Sequence, residues 1–243
     1  MSTMVQDSRS MARPGVRWFW LASALFAALI VFIGFSPTFF HRGLFGTAQL
    51  STLKVVHGAV FSAWMVLFVV QTWLIVTKRR DVHRVLGAFG GLLLVAMCVV
   101  GYRMAVESGR IGFTPDPAKV SALSFMAIPL FDLGVFAMLV CAALLLRARG
   151  DWHKRLMLVA TLSLLPPAIA RVALQLPPLP VLPIAFGGTA LLIIAVMGLD
   201  RVVLRRLHPA MLWGGLFVIL SLPARMLVAS TQAWRDLAAW LIA

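Results

Sequence analysis

The chain has 243 residues, of which 61% are hydrophobic and 12% charged, with a net charge of +14 and a mean hydropathy of +0.96. A soluble domain of this size is nearer half apolar and a quarter charged. The apolar excess gathers in runs of about 20 residues, the length that spans a bilayer, which excludes a soluble fold and leaves no room for a soluble domain. The cations lie in short loops and helix ends, where membrane topology accounts for them. Nucleic acid is therefore excluded as a partner, and the lipid bilayer is the expected one.

At the N-terminus, Arg9, Arg13 and Arg17 precede the apolar run Trp18 to Phe35. A signal-peptide core is shorter and is followed by a small-residue cleavage site. Here the chain continues SPTFFHRG, so the run reads as an uncleaved first transmembrane helix behind a tail over residues 1–17. Breaks at Gly, Pro and charge clusters then divide 18–243 into a single all-α transmembrane domain of seven helices. The predicted spans are 18–38, 55–76, 85–104, 121–146, 155–174, 181–199 and 210–229. With the N-terminus cytoplasmic, the inner side carries Arg9, Arg13, Arg17, Lys78, Arg79, Arg80, Arg84, Arg147, Arg149, Lys154, Arg155, Arg201, Arg205 and Arg206, which is 14 of the 22 Lys and Arg and leaves 8 outside. The positive-inside rule therefore predicts a cytoplasmic N-terminus and an external C-terminus.

In helix two, His57, Phe61, Trp64, Phe68 and Gln71 recur at steps of four, three, four and three. That spacing is one helical face, and polar groups on one face of a membrane helix point into the bundle. The face is either interhelical hydrogen-bonding and packing or the lining of a pocket that includes Trp64 and Gln71.

The stretch DVHRVLG, from Asp81 to Gly87, opens helix three, and DWHKRLM, from Asp151 to Met157, opens helix five. A carboxylate at a helix start caps free N–H groups and suits the dipole, and the base is an ordinary inner cation. Neither explains a histidine between them in both copies. Helix seven likewise starts at His208. The intervals His83 to Arg103, His153 to Arg171 and His208 to Arg225 are 20, 18 and 17 residues. Each covers nearly a membrane thickness, so helices 2–3, 4–5 and 6–7 read as three hairpins of one plan. Arg171 and Arg225 are expected to reach the outer interface with their stems.

Three other features stand out. The small-residue run GAFGG in helix three suits close helix packing. Asp132, near the middle of helix four, is expensive in a membrane and so a pocket-lining candidate; Arg171 is a partner only if helix five kinks at Pro166 and Pro167. Cys98 and Cys141 lie inside apolar runs and read as free, packed thiols.

The blocks HGAVFSAWMVLFVVQTWLIVTKRRDVHRVLGAFG and DWHKRLMLVATLSLLPPAIAR resemble a set of uncharacterised bacterial multi-pass membrane proteins. These share an HG…F..W…Q…HR.LG…HKRLM…R pattern, over about residues 19 to 174 of this chain. That pattern is distantly similar to families related to membrane b-type cytochromes. The resemblance implies residence in the bacterial cytoplasmic (inner) membrane, a heme b, and electron transfer. His57, His83, His153 and Arg171 are then the cofactor-binding positions. Two bis-histidine hemes would need four histidines on four helices; only His41, in a loop, could pair with His57, so a single heme is expected. Alternatives are a zinc or copper site on His83, His153 and His208, a carrier of a small solute, ion or proton, and a structural or assembly role. Neither a nucleophile–base arrangement nor a nucleotide fingerprint is present, so no enzyme class is readable.

Overall fold

The computed structural model describes residues 14–114, 120–176, 178–205 and 207–243; most of the N-terminal tail, Lys119 and Arg206 lie outside the described residues. The chain is an integral-membrane helical bundle, in which seven segments are long and apolar enough to cross a bilayer. No strand occurs among the described residues. Helix α1, Pro14–Phe35, runs on into a π-helical turn, Ser36–Phe40. It is followed by α2 (Thr52–Val76), α3 (Arg80–Arg110) and α4 (Ala122–Leu145). Helices α5 (Gly150–Ser163) and α6 (Pro166–Leu174) make up the fifth crossing. Helices α7 (Val181–Leu204) and α8 (Pro209–Ala229) complete the crossings, and α9 (Gln232–Ile242) closes the chain.

Local chemistry sets several of these boundaries. Ser51, Ser121 and Thr231 cap α2, α4 and α9, each hydroxyl accepting from a backbone N–H three residues on, which satisfies donors that have no intrahelical partner. Pro166 and Pro167 have no N–H to offer and split the fifth crossing, where the sequence predicts one span over 155–174. The carbonyl of Leu162 accepts instead from Leu165 N at 3.1 Å. Single prolines, Pro129 in α4 and Pro223 in α8, remove one bond each and leave their helices continuous.

Several boundaries differ from the expected ones: the fifth crossing begins at Gly150 rather than 155, and the sixth ends at Leu204 rather than 199. The third crossing begins at Arg80 rather than 85 and ends at Arg110 rather than 104, a helix of 31 residues. At 1.5 Å per residue it is about 46 Å long and outruns the hydrocarbon core. Asp81 and Asp151 are consequently not caps. Arg79 and Arg149 occupy the cap positions, and each Asp lies one residue inside the first turn, where its charge still suits the dipole. Residues 230–243, assigned to no span from sequence, include the amphipathic helix α9. Its Trp234 donates through Nε1 to Leu123 O at 2.8 Å, and Arg110 Nε donates to Ile242 O at 3.1 Å. Ala105, Ala127, Ala229 and Ala238 form the small-residue floor of that contact.

The three predicted hairpins are packed pairs: α2 on α3, α4 on α5, and α7 on α8. Helix α1 packs on α2 and on α6, and α8 lies against both α4 and α5. The fifth crossing is the axis of the bundle, with 61% of its apolar window buried against 17% to 39% for the others. GAFGG contributes modestly: a Cβ on Gly90 would meet Leu67 of α2 at 3.3 Å, while Gly91 faces open space. Cys98 is half-buried and unbridged, but Cys141 is exposed on the bundle surface rather than packed.

The tightest backbone approach is between α1 and α6. A Cβ on Gly34 would lie 2.9 Å from the carbonyl carbon of Ala168 and closer still to its oxygen. Backbone cannot rotate away as a side chain can. Gly34→Ala is therefore expected to cost at least about 1–3 kcal/mol, the usual range for overpacking, despite the better helix propensity of Ala. Gly91→Ala should be neutral or slightly stabilising by the same thermal-unfolding measurement in detergent.

Candidate functional site

The repeated DxH signature places its two histidines in identical positions. His83 N donates to Arg79 O at 3.1 Å, and His153 N donates to Arg149 O at 3.0 Å. Each imidazole thus stands on the first turn of its helix, at the same basic end of the bundle. The two rings face one another with centroids 6.3 Å apart and planes at 87°. His153 Nδ1 is 2.9 Å from the carbonyl of Ala143 on α4. A carbonyl only accepts, so Nδ1 carries the proton and Nε2 is the ring nitrogen left for another partner. The Nδ1 of His83 is buried without a hydrogen-bond partner, as is Gln71 Oε1. Gln71 packs beside Gly87, one turn beyond His83, its Nε2 lying 3.4 Å from where a Gly87 Cβ would sit.

The predicted face of α2 points inward. Trp64 is 2% exposed; its Nε1 donates to Thr161 Oγ1 at 3.3 Å and its ring meets Phe136 edge-on at 4.8 Å. His57 lies at the far end of this face, fourteen residues and about 21 Å along the axis from Gln71, and stacks on Phe61 at 4.3 Å. Arg171 lies at that same far end, its guanidinium 4.1 Å over the Phe35 ring. The four cofactor candidates therefore divide two and two between opposite ends. His208 belongs to neither group. It caps α8, its Nδ1 accepting from Ala210 N at 3.1 Å, and its ring meets that of Trp152 at 5.5 Å. Among the described residues no group of three or more His, Cys, Asp or Glu side chains is placed to hold a metal ion.

No family model matches the chain, nor does any curated protein or solved structure. The residues themselves must carry the argument.

Two buried charge clusters complete the interior, and the sequence reading missed the partners in both. Asp132 pairs with Arg225 of α8, not with Arg171. Arg225 is fully buried rather than reaching the interface. Its Nε donates to Ser221 O at 3.1 Å and its Nη2 to Ser221 Oγ at 3.0 Å. The Oδ2 of Asp132 has no partner. At the basic end, Arg155 donates through Nε to both carboxylate oxygens of Asp200 at 3.2 and 3.1 Å. Its Nη1 donates to Asp151 O at 2.9 Å, and Lys154 pairs with the Asp151 carboxylate. The Trp20 ring lies 5.3 Å from the Lys154 ammonium and 5.5 Å from the Arg155 guanidinium. One signal was available for the Asp151–Arg155 contact alone: the two residues are four apart on one helix face. The predicted three-hairpin plan therefore survives as backbone but not as chemistry. Arg103 is exposed, Arg171 stacks on an aromatic ring, and Arg225 neutralises a buried acid.

Proposed function

We propose that the protein is a redox membrane protein that holds one heme b between His83 and His153. The observation that carries this reading is the facing pair of imidazoles, 6.3 Å apart and nearly perpendicular. An iron bonded to two imidazole nitrogens at about 2.0–2.1 Å each, the usual metal–imidazole length, sets ring centroids roughly 6 Å apart. A porphyrin supplies four in-plane nitrogens, so two axial histidines complete the set. A zinc ion with protein ligands alone needs about four, and the described residues offer no such group. The Ala143 carbonyl supports a ligand role, because it orients the ring and leaves Nε2 for the metal. Arg79, Arg80, Arg84, Arg147 and Arg149 are exposed at this end, and Arg–carboxylate bonds of that kind suit heme propionates. When bound, the heme would supply one-electron chemistry whose potential the axial imidazoles set.

The test is an oxidised and a dithionite-reduced absorption spectrum of the detergent-solubilised protein, expressed with ample heme. About one heme per chain, with the sharpened bands of a low-spin b-type centre on reduction, is the expected result. A colourless protein would end the reading.

The density of cations at the His83–His153 end supports a cytoplasmic side for that end under the positive-inside rule. Reporter fusions check this. An enzyme active only outside the cytoplasm should work when fused after Ala243, and one active only inside should work within Lys78–Arg80. The reverse at both sites would put the proposed heme on the outer side.

A further inference from the structure

We propose that the opposite end of the bundle, between α1, α2 and α6, binds the head group of a membrane-soluble quinone. The proposal rests on residues distinct from the histidine pair and stands whether or not heme binds there.

The geometry begins with Arg171. Arg171 is only half-buried, whereas the two fully buried arginines have acids: Arg155 pairs with Asp200, and Arg225 with Asp132. None of the 8 acidic residues lies on α1, α2 or α6. Among the described residues, the Arg171 guanidinium donates one hydrogen bond, from Nη1 to Pro167 O at 3.0 Å, out of the five that it can make. A cation inside a membrane bundle normally has a paired acceptor.

Residues 35–39 run between this guanidinium and the start of α2. At one end of that segment, the Phe35 ring lies beneath Arg171 at 4.1 Å. At the other, the Phe39 ring occupies the space that a Cβ on Gly58 would fill, with Phe39 Cζ 2.6 Å from that position. Thr38 falls between them, in the π-helical turn, and π-helical turns recur at functional sites. Its hydroxyl oxygen is buried and has no partner among the described residues, and the Nδ1 of His57, one position before Gly58, is in the same condition. Two buried groups able to donate, Thr38 and His57, therefore lack a protein acceptor among the described residues, and Arg171 uses only one of its five donors, whereas buried polar groups are almost always served.

The surroundings select the ligand. Phe35, Phe39 and Phe61 bring three aromatic rings to these groups, Phe35 beneath Arg171, Phe61 stacked on His57 and Phe39 against Gly58. Flat rings stack on the faces of such rings. Phe40 and Val56, on the flank of the site, are exposed on the bundle surface, so the approach is from lipid rather than from water. A quinone head is a flat ring bearing carbonyl oxygens that only accept, on a lipid-soluble tail. It matches the donors, the ring faces and the route together. A lipid carboxylate or phosphate would satisfy the donors but would make no use of the rings.

The test is a titration of the full-length protein in nanodiscs with decylubiquinone, correcting for partition into empty nanodiscs. Saturable binding is expected. Arg171→Gln and His57→Ala should each weaken it by about tenfold or more, the scale of losing a hydrogen bond to a charged or buried group. Thr38→Val, which keeps the side-chain shape, should weaken it severalfold with the thermal midpoint unchanged, so loss of fold cannot stand in for loss of ligand. Arg235→Gln, on the exposed face of α9, should bind as the unaltered protein does. Binding no greater than to empty nanodiscs, or affinity untouched by both Thr38→Val and Arg171→Gln, would overturn the proposal. So would saturable binding of laurate without binding of the quinone, which would make this an anion site.

Discussion

Arg225→Met, with Asp132 left in place, is expected to destabilise the fold by about 3–5 kcal/mol, the cost of removing one partner of a buried ion pair. The magnitude follows from what remains behind. Asp132 is 5% exposed and its Oδ2 already lacks a partner. Without the guanidinium its other oxygen loses its counter-charge as well. No acid other than Asp132 lies on α4 or α8, and the membrane interior supplies no water to either oxygen. Ser221 also loses the donors that its carbonyl and hydroxyl oxygens now accept from Arg225. Adding Asp132→Leu to Arg225→Met should recover most of the loss, because a pair replaced by apolar residues of similar volume is often neutral or stabilising. The comparison is of unfolding midpoints of the two singles and the double in the same detergent. A double mutant as unstable as the sum of the singles would show that the two side chains act independently. Arg171→Gln is the useful contrast. It strands no carboxylate, so its stability cost should be well below that of Arg225→Met.

His83→Ala and His153→Ala should each abolish the low-spin heme signal, and the double change should remove no more than either single one. Two residues that ligate one atom act as a unit, and the interaction energy between them is then large. The alternative is an ordinary pair of helix-end histidines. In that case each substitution costs little, since the first-turn acids Asp81 and Asp151 and the cap residues Arg79 and Arg149 are untouched. Heme per chain is the readout, with Asp81→Asn and Asp151→Asn as controls. Asp151→Asn is the sharper control, because it perturbs the salt-bridge network with Lys154 and Arg155 without touching either ring. Loss of signal in the double mutant alone would mean that either histidine suffices, which a bis-imidazole site does not permit.

The proposed pair was visible in the sequence because the two copies carry their histidine at one spacing. A single turn of helix turns that spacing into one height and one facing direction relative to the N-terminus. The paired carbonyl of Ala143 was not visible. It lies on α4, ten residues before His153, across the turn between α4 and α5. His208 looked like a third member because it too starts a helix at the basic end. Its position is four residues earlier relative to its helix, at the cap itself, and there the ring serves the amide of Ala210. A shift of about four residues is at the edge of what boundary prediction from sequence resolves.

By itself the sequence determined the membrane class, the seven crossings, the adjacency of hairpin partners and the inward face of α2. These follow from run length, from 3.6-residue periodicity and from short connections, which are local properties of the chain. The break at Pro166 and Pro167 is local in the same sense, since proline acts on its own backbone, although the predicted fifth span is continuous. Only the tertiary structure decided which charges meet. Asp132 finds Arg225 across 93 residues of sequence, and Arg155 finds Asp200 across 45. Depth alone does not distinguish Arg225 from Arg171 as a partner. The rotation of each helix about its axis does, and that rotation is set by how small and large side chains interlock between neighbours such as Gly34 and Ala168. No water inside the membrane offers a misplaced charge an alternative, so a helix rotation that left Asp132 or Asp200 unpaired would be strongly disfavoured.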